Sequence, residues 1–163
     1  MTVYDLLNKY QMTVTTAESC TGGLVASGLV DLAGISAFFK EGYVTYAPEE
    51  KERILGVPKE VIEQYGVVSE QTAAKMAEGA ARVANADTAI ATTGVAGPDG
   101  GTKQTPVGTV CFGCFVKNRT YTVCKRFEGN RAQVRQQAAE FALDYLKECI
   151  HIFENSCEME RKV

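Results

Sequence analysis

Met12-Thr13-Val14-Thr15-Thr16-Ala17, running into Glu18-Ser19-Cys20-Thr21-Gly22-Gly23, is the stretch from which the fold is read. Its first half is dense in β-branched residues and reads as a strand. Its second half is a tight polar turn, and beyond it Val25, Leu29 and Leu32 fall on one face at helical spacing. A strand, a turn and a helix in that order are the repeating unit of an α/β sheet. Upstream, Val3, Leu6, Leu7 and Tyr10 line one face of a helix over Thr2 to Tyr10. Downstream, Gly34 to Phe39 is a connection and Gly42 to Tyr46 a second strand. Pro48 and Pro58 can each open a short helix, the first carrying Lys51. Ser69 is a candidate N-cap for a helix lined by Ala73, Met76, Ala77, Ala80 and Val83. Asp87 to Thr93 is a third strand, ending in the glycine-dense loop Gly94 to Gly101. Val107 to Val116 and Thr120 to Phe127 pair across Lys117-Asn118-Arg119, and a long helix follows Gly129-Asn130-Arg131. The expectation is a three-layer α/β/α sandwich with a mixed, about five-stranded sheet, as a single domain over residues 1–163 with a polar tail from about Glu154.

Composition narrows the function. The chain carries 17 basic and 20 acidic residues, a formal charge of −3, so no basic face is expected and nucleic acid is an improbable partner. No apolar run approaches the ~18 residues of a membrane span, and the N-terminus lacks a signal-peptide layout, so a cytoplasmic protein without membrane contact is expected. The six cysteines are expected to be buried, inert thiols. Cys111 and Cys114 form a C-x-x-C inside a strand, where residues three apart point to opposite faces, so they can neither share a metal nor join. A single histidine, His151 in the last helix, argues against metal and against a Ser-His-Asp triad.

Ligands of open α/β sheets sit beyond the carboxyl ends of the strands. Polar and glycine-rich residues collect at three such ends, Glu18 to Gly23, Tyr46 to Lys51 and Thr93 to Gly101, which predicts one shared pocket. Gly22 and Gly23 at a helix start are either a tight turn or an anion cradle of free N–H groups. Neither a Walker A loop nor a dinucleotide fingerprint is present. A serine nucleophile here would need a base other than histidine, and a desolvated lysine is the usual substitute. Lys51 follows a strand end, yet by composition alone Glu49-Glu50-Lys51-Glu52-Arg53 reads as a solvated charged helix.

Six ordered stretches resemble the CinA C-terminal domain family, whose stand-alone members are nicotinamide mononucleotide deamidases. They are T-T-A-E-S-C-T-G-G (Thr15 to Gly23), G-Y-V-T-Y-x-x-E-x-K (Gly42 to Lys51), G-V-V-S-E-Q-T (Gly66 to Thr72), T-T-G-V-A-G-P-D-G-G (Thr92 to Gly101), P-V-G-T-V (Pro106 to Val110) and G-N-R (Gly129 to Arg131). The resemblance runs from about Thr2 to His151, and the molybdopterin-binding-like domain of two-domain members is not expected in this chain. It implies hydrolysis of the carboxamide of nicotinamide mononucleotide to nicotinic acid mononucleotide and ammonia, without cofactor or metal, in a homo-oligomer. It implies Ser36 as nucleophile, within Gly34-Ile35-Ser36-Ala37-Phe38-Phe39, where Ile35 replaces a family serine. Lys51 takes the place of the base and Tyr46 that of the tyrosine. Ser19, Thr93 and Gly94, with Gly22, Gly23 and Arg131 for the phosphate, make the substrate pocket. Ser19 is equally readable as a helix cap, Thr93 as an ordinary strand end and Glu18 as a structural acceptor. A catalytically silent nucleotide-binding module of the same fold is the rival reading.

Overall fold

The computed structural model describes residues 1–160. Twelve segments follow one another: α1 (Val3–Tyr10), β1 (Val14–Glu18), α2 (Leu24–Val30), a 3-10 turn (Ile35–Ala37), β2 (Tyr43–Val44), α3 (Pro48–Leu55), α4 (Lys59–Tyr65), α5 (Glu70–Ala84), β3 (Thr88–Gly94), β4 (Thr109–Val116), β5 (Arg119–Arg126) and α6 (Arg131–Glu160). The sheet is five-stranded in the order β2-β1-β3-β4-β5. β1 is parallel to β2 and β3, whereas β3, β4 and β5 are antiparallel. The mixed α/β sheet with helices on both faces is the architecture expected from the strand–turn–helix reading.

Side-chain alternation along the central strands builds two unlike faces. Ile90 of β3 with Phe112 and Cys114 of β4 meets α1, α2 and α6 in the larger apolar cluster. Ala89 and Ala91 face the other way, onto Met76, Ala77 and Ala80 of α5 and Leu55 of α3. Small residues let α5 ride close to the sheet. Gly113 is the extreme case, because a Cβ there would collide with the backbone of Ala73. Local chemistry fixes the helix ends. Thr2 and Asp5 make a reciprocal capping box on α1, and the Ser69 hydroxyl accepts the Thr72 N–H at the start of α5.

The polar tail belongs to α6, which continues to Glu160, with Phe153 buried and Arg119 of β5 reaching Ser156 and Glu160. One expectation is corrected. The cysteines are not all thiols. Cys111 and Cys124 face each other in the β4–β5 register with Cα atoms 4.0 Å apart and form a disulfide. Cys20, Cys114 and Cys149 are buried and free, and Cys157 is half-buried and free. The strand geometry that separates Cys111 from Cys114 is as expected; the cross-strand neighbour is what the C-x-x-C spacing conceals. No helix of the described residues is long and apolar enough to cross a membrane.

Candidate active site

The carboxyl ends of β1, β2 and β3 open onto a cavity of about 260 Å³ lined by Ser19, Cys20, Tyr46, Thr93, Gly94 and Arg131, with Val67 and the loop Val95 to Gly100 completing its wall. Register puts them there. β1 pairs with β2 through Glu18↔Val44 and with β3 through Glu18↔Thr92, so the residues just past these pairs converge. The Ser19 N–H donates to the Thr92 carbonyl at 3.0 Å and the Thr45 N–H to the Glu18 carbonyl at 2.9 Å.

Lys51 of α3 is wholly buried behind this cavity. Its Nζ lies 2.6 Å from the Thr45 carbonyl, 3.0 Å from Ser19 Oγ and 3.4 Å from the Tyr46 carbonyl. Two of these partners are carbonyls, which only accept. A neutral amine therefore points its two N–H bonds at Thr45 and Tyr46 and leaves its lone pair facing the Ser19 hydroxyl. Burial lowers its pKa from 10.5 to about 8, against weaker upward pulls from Cys20 and Glu49. The adjacent Cys20 thiol is pushed up to about 11 by its own burial and stays protonated near neutral pH. The solvated-lysine reading of this helix fails for Lys51, and no cation is required to depress it.

Ser36 is not brought to this lysine. It sits in the exposed 3-10 turn, and Phe39 three residues later bridges to Val14 at the opposite end of β1. Five residue steps at about 3.3 Å each set that Val14–Phe39 bridge roughly 16 Å from the end occupied by Ser19. Ser36 lines a separate concavity with Val30, Leu32 and Phe39. Within this structure Lys51 therefore meets Ser19, and Ser36 stands apart from it. The Tyr46 hydroxyl accepts from Arg131 at 2.9 Å, and its backbone carbonyl is the part of Tyr46 that touches Lys51.

Gly22 and Gly23 do not cradle an external anion. The buried Glu18 carboxylate already occupies the start of α2, where it accepts from Thr21 Oγ1 at 2.6 Å and from the N–H groups of Gly23, Val25 and Ala26 at 2.9, 3.1 and 2.8 Å. Thr21, having given its proton to Glu18, accepts from Thr92 Oγ1 at 2.8 Å. Glu18 is the structural acceptor that holds the Ser19 turn. Ser19 caps nothing: the N-cap of α2 is Gly23, with no side-chain cap bond. Thr93 donates to the Val67 carbonyl at 2.8 Å, which leaves its lone pairs toward the cavity.

Arg131 opens α6 at the cavity rim, donating to the Gly97 carbonyl at 2.8 Å as well as to Tyr46, and none of the described carboxylates pairs with it. Its charge is available to an anionic ligand. Sequence reasoning missed Arg135, one helical turn on. It donates to the carbonyls of Cys20 at 2.9 Å and Thr21 at 3.0 Å and braces the Ser19 turn from α6. The four-residue spacing from Arg131 was the available signal.

The sequence model of the CinA C-terminal domain matches residues 1–150. A CinA-like protein of Kosmotoga olearia is 46% identical over 148 residues, covering 91% of this chain and 36% of that protein. Nicotinamide-nucleotide amidohydrolase PncC of Enterobacter agglomerans is 51% identical over 131 residues, 80% of each. The chain spans about a third of the length of the first relatives and most of the second kind. Among solved structures, a competence or damage-inducible protein from Enterobacter asburiae superposes with a TM-score of 0.87 at 38% identity, covering 91% of this chain and 93% of the other.

Proposed function

The chain belongs to the CinA C-terminal domain family, and from that premise we propose that it hydrolyses the carboxamide of nicotinamide mononucleotide through a Ser19–Lys51 dyad. The observation that carries the reading is the buried Lys51 amine 3.0 Å from Ser19 Oγ at the floor of a cavity whose rim holds an unpaired arginine. The name of the Enterobacter agglomerans relative supplies the substrate class.

In the proposed reaction Ser19 Oγ attacks the amide carbon as Lys51 Nζ takes the hydroxyl proton. Lys51, now an ammonium with three N–H bonds for its three partners, returns the proton to the amide nitrogen as the C–N bond breaks and ammonia leaves. Water then attacks the acyl-serine, with Lys51 again the base, and releases nicotinic acid mononucleotide. A pyridinium ring withdraws electrons from the carbonyl and makes it the more electrophilic. Arg131, with Tyr46 beside it, holds the phosphate at the rim.

Ammonia release from nicotinamide mononucleotide, nicotinamide riboside, nicotinamide, glutamine and asparagine tests the substrate. The mononucleotide should be turned over far faster than the rest, and tight mononucleotide binding with no turnover would mean a silent binding module instead. Ser19→Ala should abolish turnover while Ser36→Ala keeps it within a few-fold. The reverse pattern would return the nucleophile to Ser36, the residue nominated by the family resemblance.

A further inference from the structure

The parallel ladder between β1 and β3 stops one rung early beside Ser19. The Thr88 N–H donates to the Thr13 carbonyl and the Ser19 N–H to the Thr92 carbonyl, both in the regular parallel alternation. The next rung would carry the Gly94 N–H to the Ser19 carbonyl. That carbonyl has turned away and accepts from Gly22 at 3.1 Å instead. The Gly94 N–H cannot turn to β4. In the antiparallel β3–β4 ladder Val95 donates to the Thr109 carbonyl at 2.8 Å, so bonding to β4 falls on residues 93 and 95 and the 94 amide points toward β1. Among the described residues it has no hydrogen-bond partner, and both Gly94 and Ser19 line the cavity.

We propose that the Gly94 N–H is the oxyanion donor of this site, taking the carbonyl oxygen of the substrate as Ser19 adds to it; this rests on the amidase reading above. As the Oγ–C bond forms, the carbonyl π pair moves onto oxygen and the hydroxyl proton passes to Lys51. The charge on oxygen then faces an amide that has no other ligand and needs no reorganisation to receive it. When the oxygen's pair returns and the C–N bond breaks, that contact weakens again. Position 94 must be glycine for packing, since a Cβ would meet the Thr109 carbonyl at 2.7 Å, so the chain can present this amide bare.

The test replaces the amide alone. Glycolic acid at position 94 converts the N–H to an ester oxygen while keeping the glycine shape. The nicotinamide mononucleotide kcat should fall about 100- to 1,000-fold, as for other single oxyanion donors, with KM within a few-fold. A pyridine-3-aldehyde mononucleotide, which adds to the serine as a tetrahedral hemiacetal, should lose affinity by a similar factor. An ester at Phe127, whose N–H gives a 2.9 Å bond to the Gly108 carbonyl away from the cavity, measures the cost of simply losing a backbone bond and should leave kcat within a few-fold. An active wild type with an equally active position-94 ester overturns this inference alone, as does an unchanged aldehyde affinity. A wild type inert on nicotinamide mononucleotide overturns the amidase reading and this inference together.

Discussion

Replacing Lys51 by methionine separates its chemical role from its structural one, because the same buried amine sets the pH dependence of both activity and stability. With the pKa of Lys51 at about 8, the neutral fraction is about 1% at pH 6, about 10% at pH 7 and half at pH 8. Wild-type kcat/KM should therefore climb roughly 50-fold between pH 6 and 8 and level off above about pH 9. Stability has a different window. The folded amine titrates near 8 and the unfolded one near 10.5, so between those values only the unfolded chain holds the proton. Raising the pH through that interval then favours the folded state by a total of about 3 kcal/mol, and below pH 8 the contribution is flat at its least favourable value. Lys51→Met removes the rise. It also strands the Thr45 carbonyl, a loss of about 1–3 kcal/mol that nearly cancels the relief of a buried charge at pH 7. The informative quantity is accordingly the difference in denaturant midpoint between wild type and variant, followed from pH 7 to 10.5, which cancels the other lysines and tyrosines. Turnover of the variant should be negligible at every pH. Flat wild-type kcat/KM from pH 6 to 8, or an equal pH slope of stability in Lys51→Met, would refute a desolvated catalytic lysine.

Arg131→Gln should raise KM for the mononucleotide about 10- to 100-fold, leave kcat within a few-fold and scarcely change the riboside, with an effect that shrinks in high salt; steady-state kinetics on both substrates decide it. Glu18→Gln puts an amide among donors that a carboxylate now satisfies, and should cost at least about 3 kcal/mol in urea unfolding, since hydrogen bonds to a buried charge are the strong ones. An unchanged midpoint would show that this turn is held by other contacts. The denatured oxidised protein should expose four thiols and the reduced one six, and Cys111→Ala with Cys124→Ala should lower the melting temperature only when the wild type is kept oxidised. Turnover should survive both that double variant and exhaustive chelation, because neither cysteine lines the cavity and the dyad needs no metal.

What was legible in the sequence and what was not divide along the range of the physics involved. β-Branched runs, Ser69 as a cap and Pro48 opening α3 act over a few residues, and each is where its local chemistry places it. The convergence of Ser19, Tyr46 and Thr93 was legible too, because strand ends of an α/β sheet share one edge. The partner of Lys51 was not, since it depends on how the chain runs alongside β1. Phe39 pairs with Val14 and Val44 with Glu18, so the segment carrying Ser36 enters at the far end of that strand and reaches the cavity only at Thr45. A motif spacing records neither direction nor register. The disulfide was within reach of the same bookkeeping: a hairpin turning at Lys117-Asn118 sets Cys111 opposite Cys124, eight-residue strands on either side.

The Gly22-Gly23 turn shows why a helix start need not be an anion site for ligand. A buried carboxylate one turn away is a permanent competitor at effectively unlimited local concentration, and Glu18 makes four bonds there before any substrate arrives. Displacing it would strand a charge with no exposure. On the amidase reading the phosphate is met elsewhere on the rim, where Arg131 has no carboxylate partner among the described residues. The dipole of α2 is spent on rigidity, and rigidity is what the dyad requires. With Glu18 pinning the turn from inside and Arg135 from α6, the Ser19 hydroxyl is held 3.0 Å from Lys51 Nζ before substrate enters.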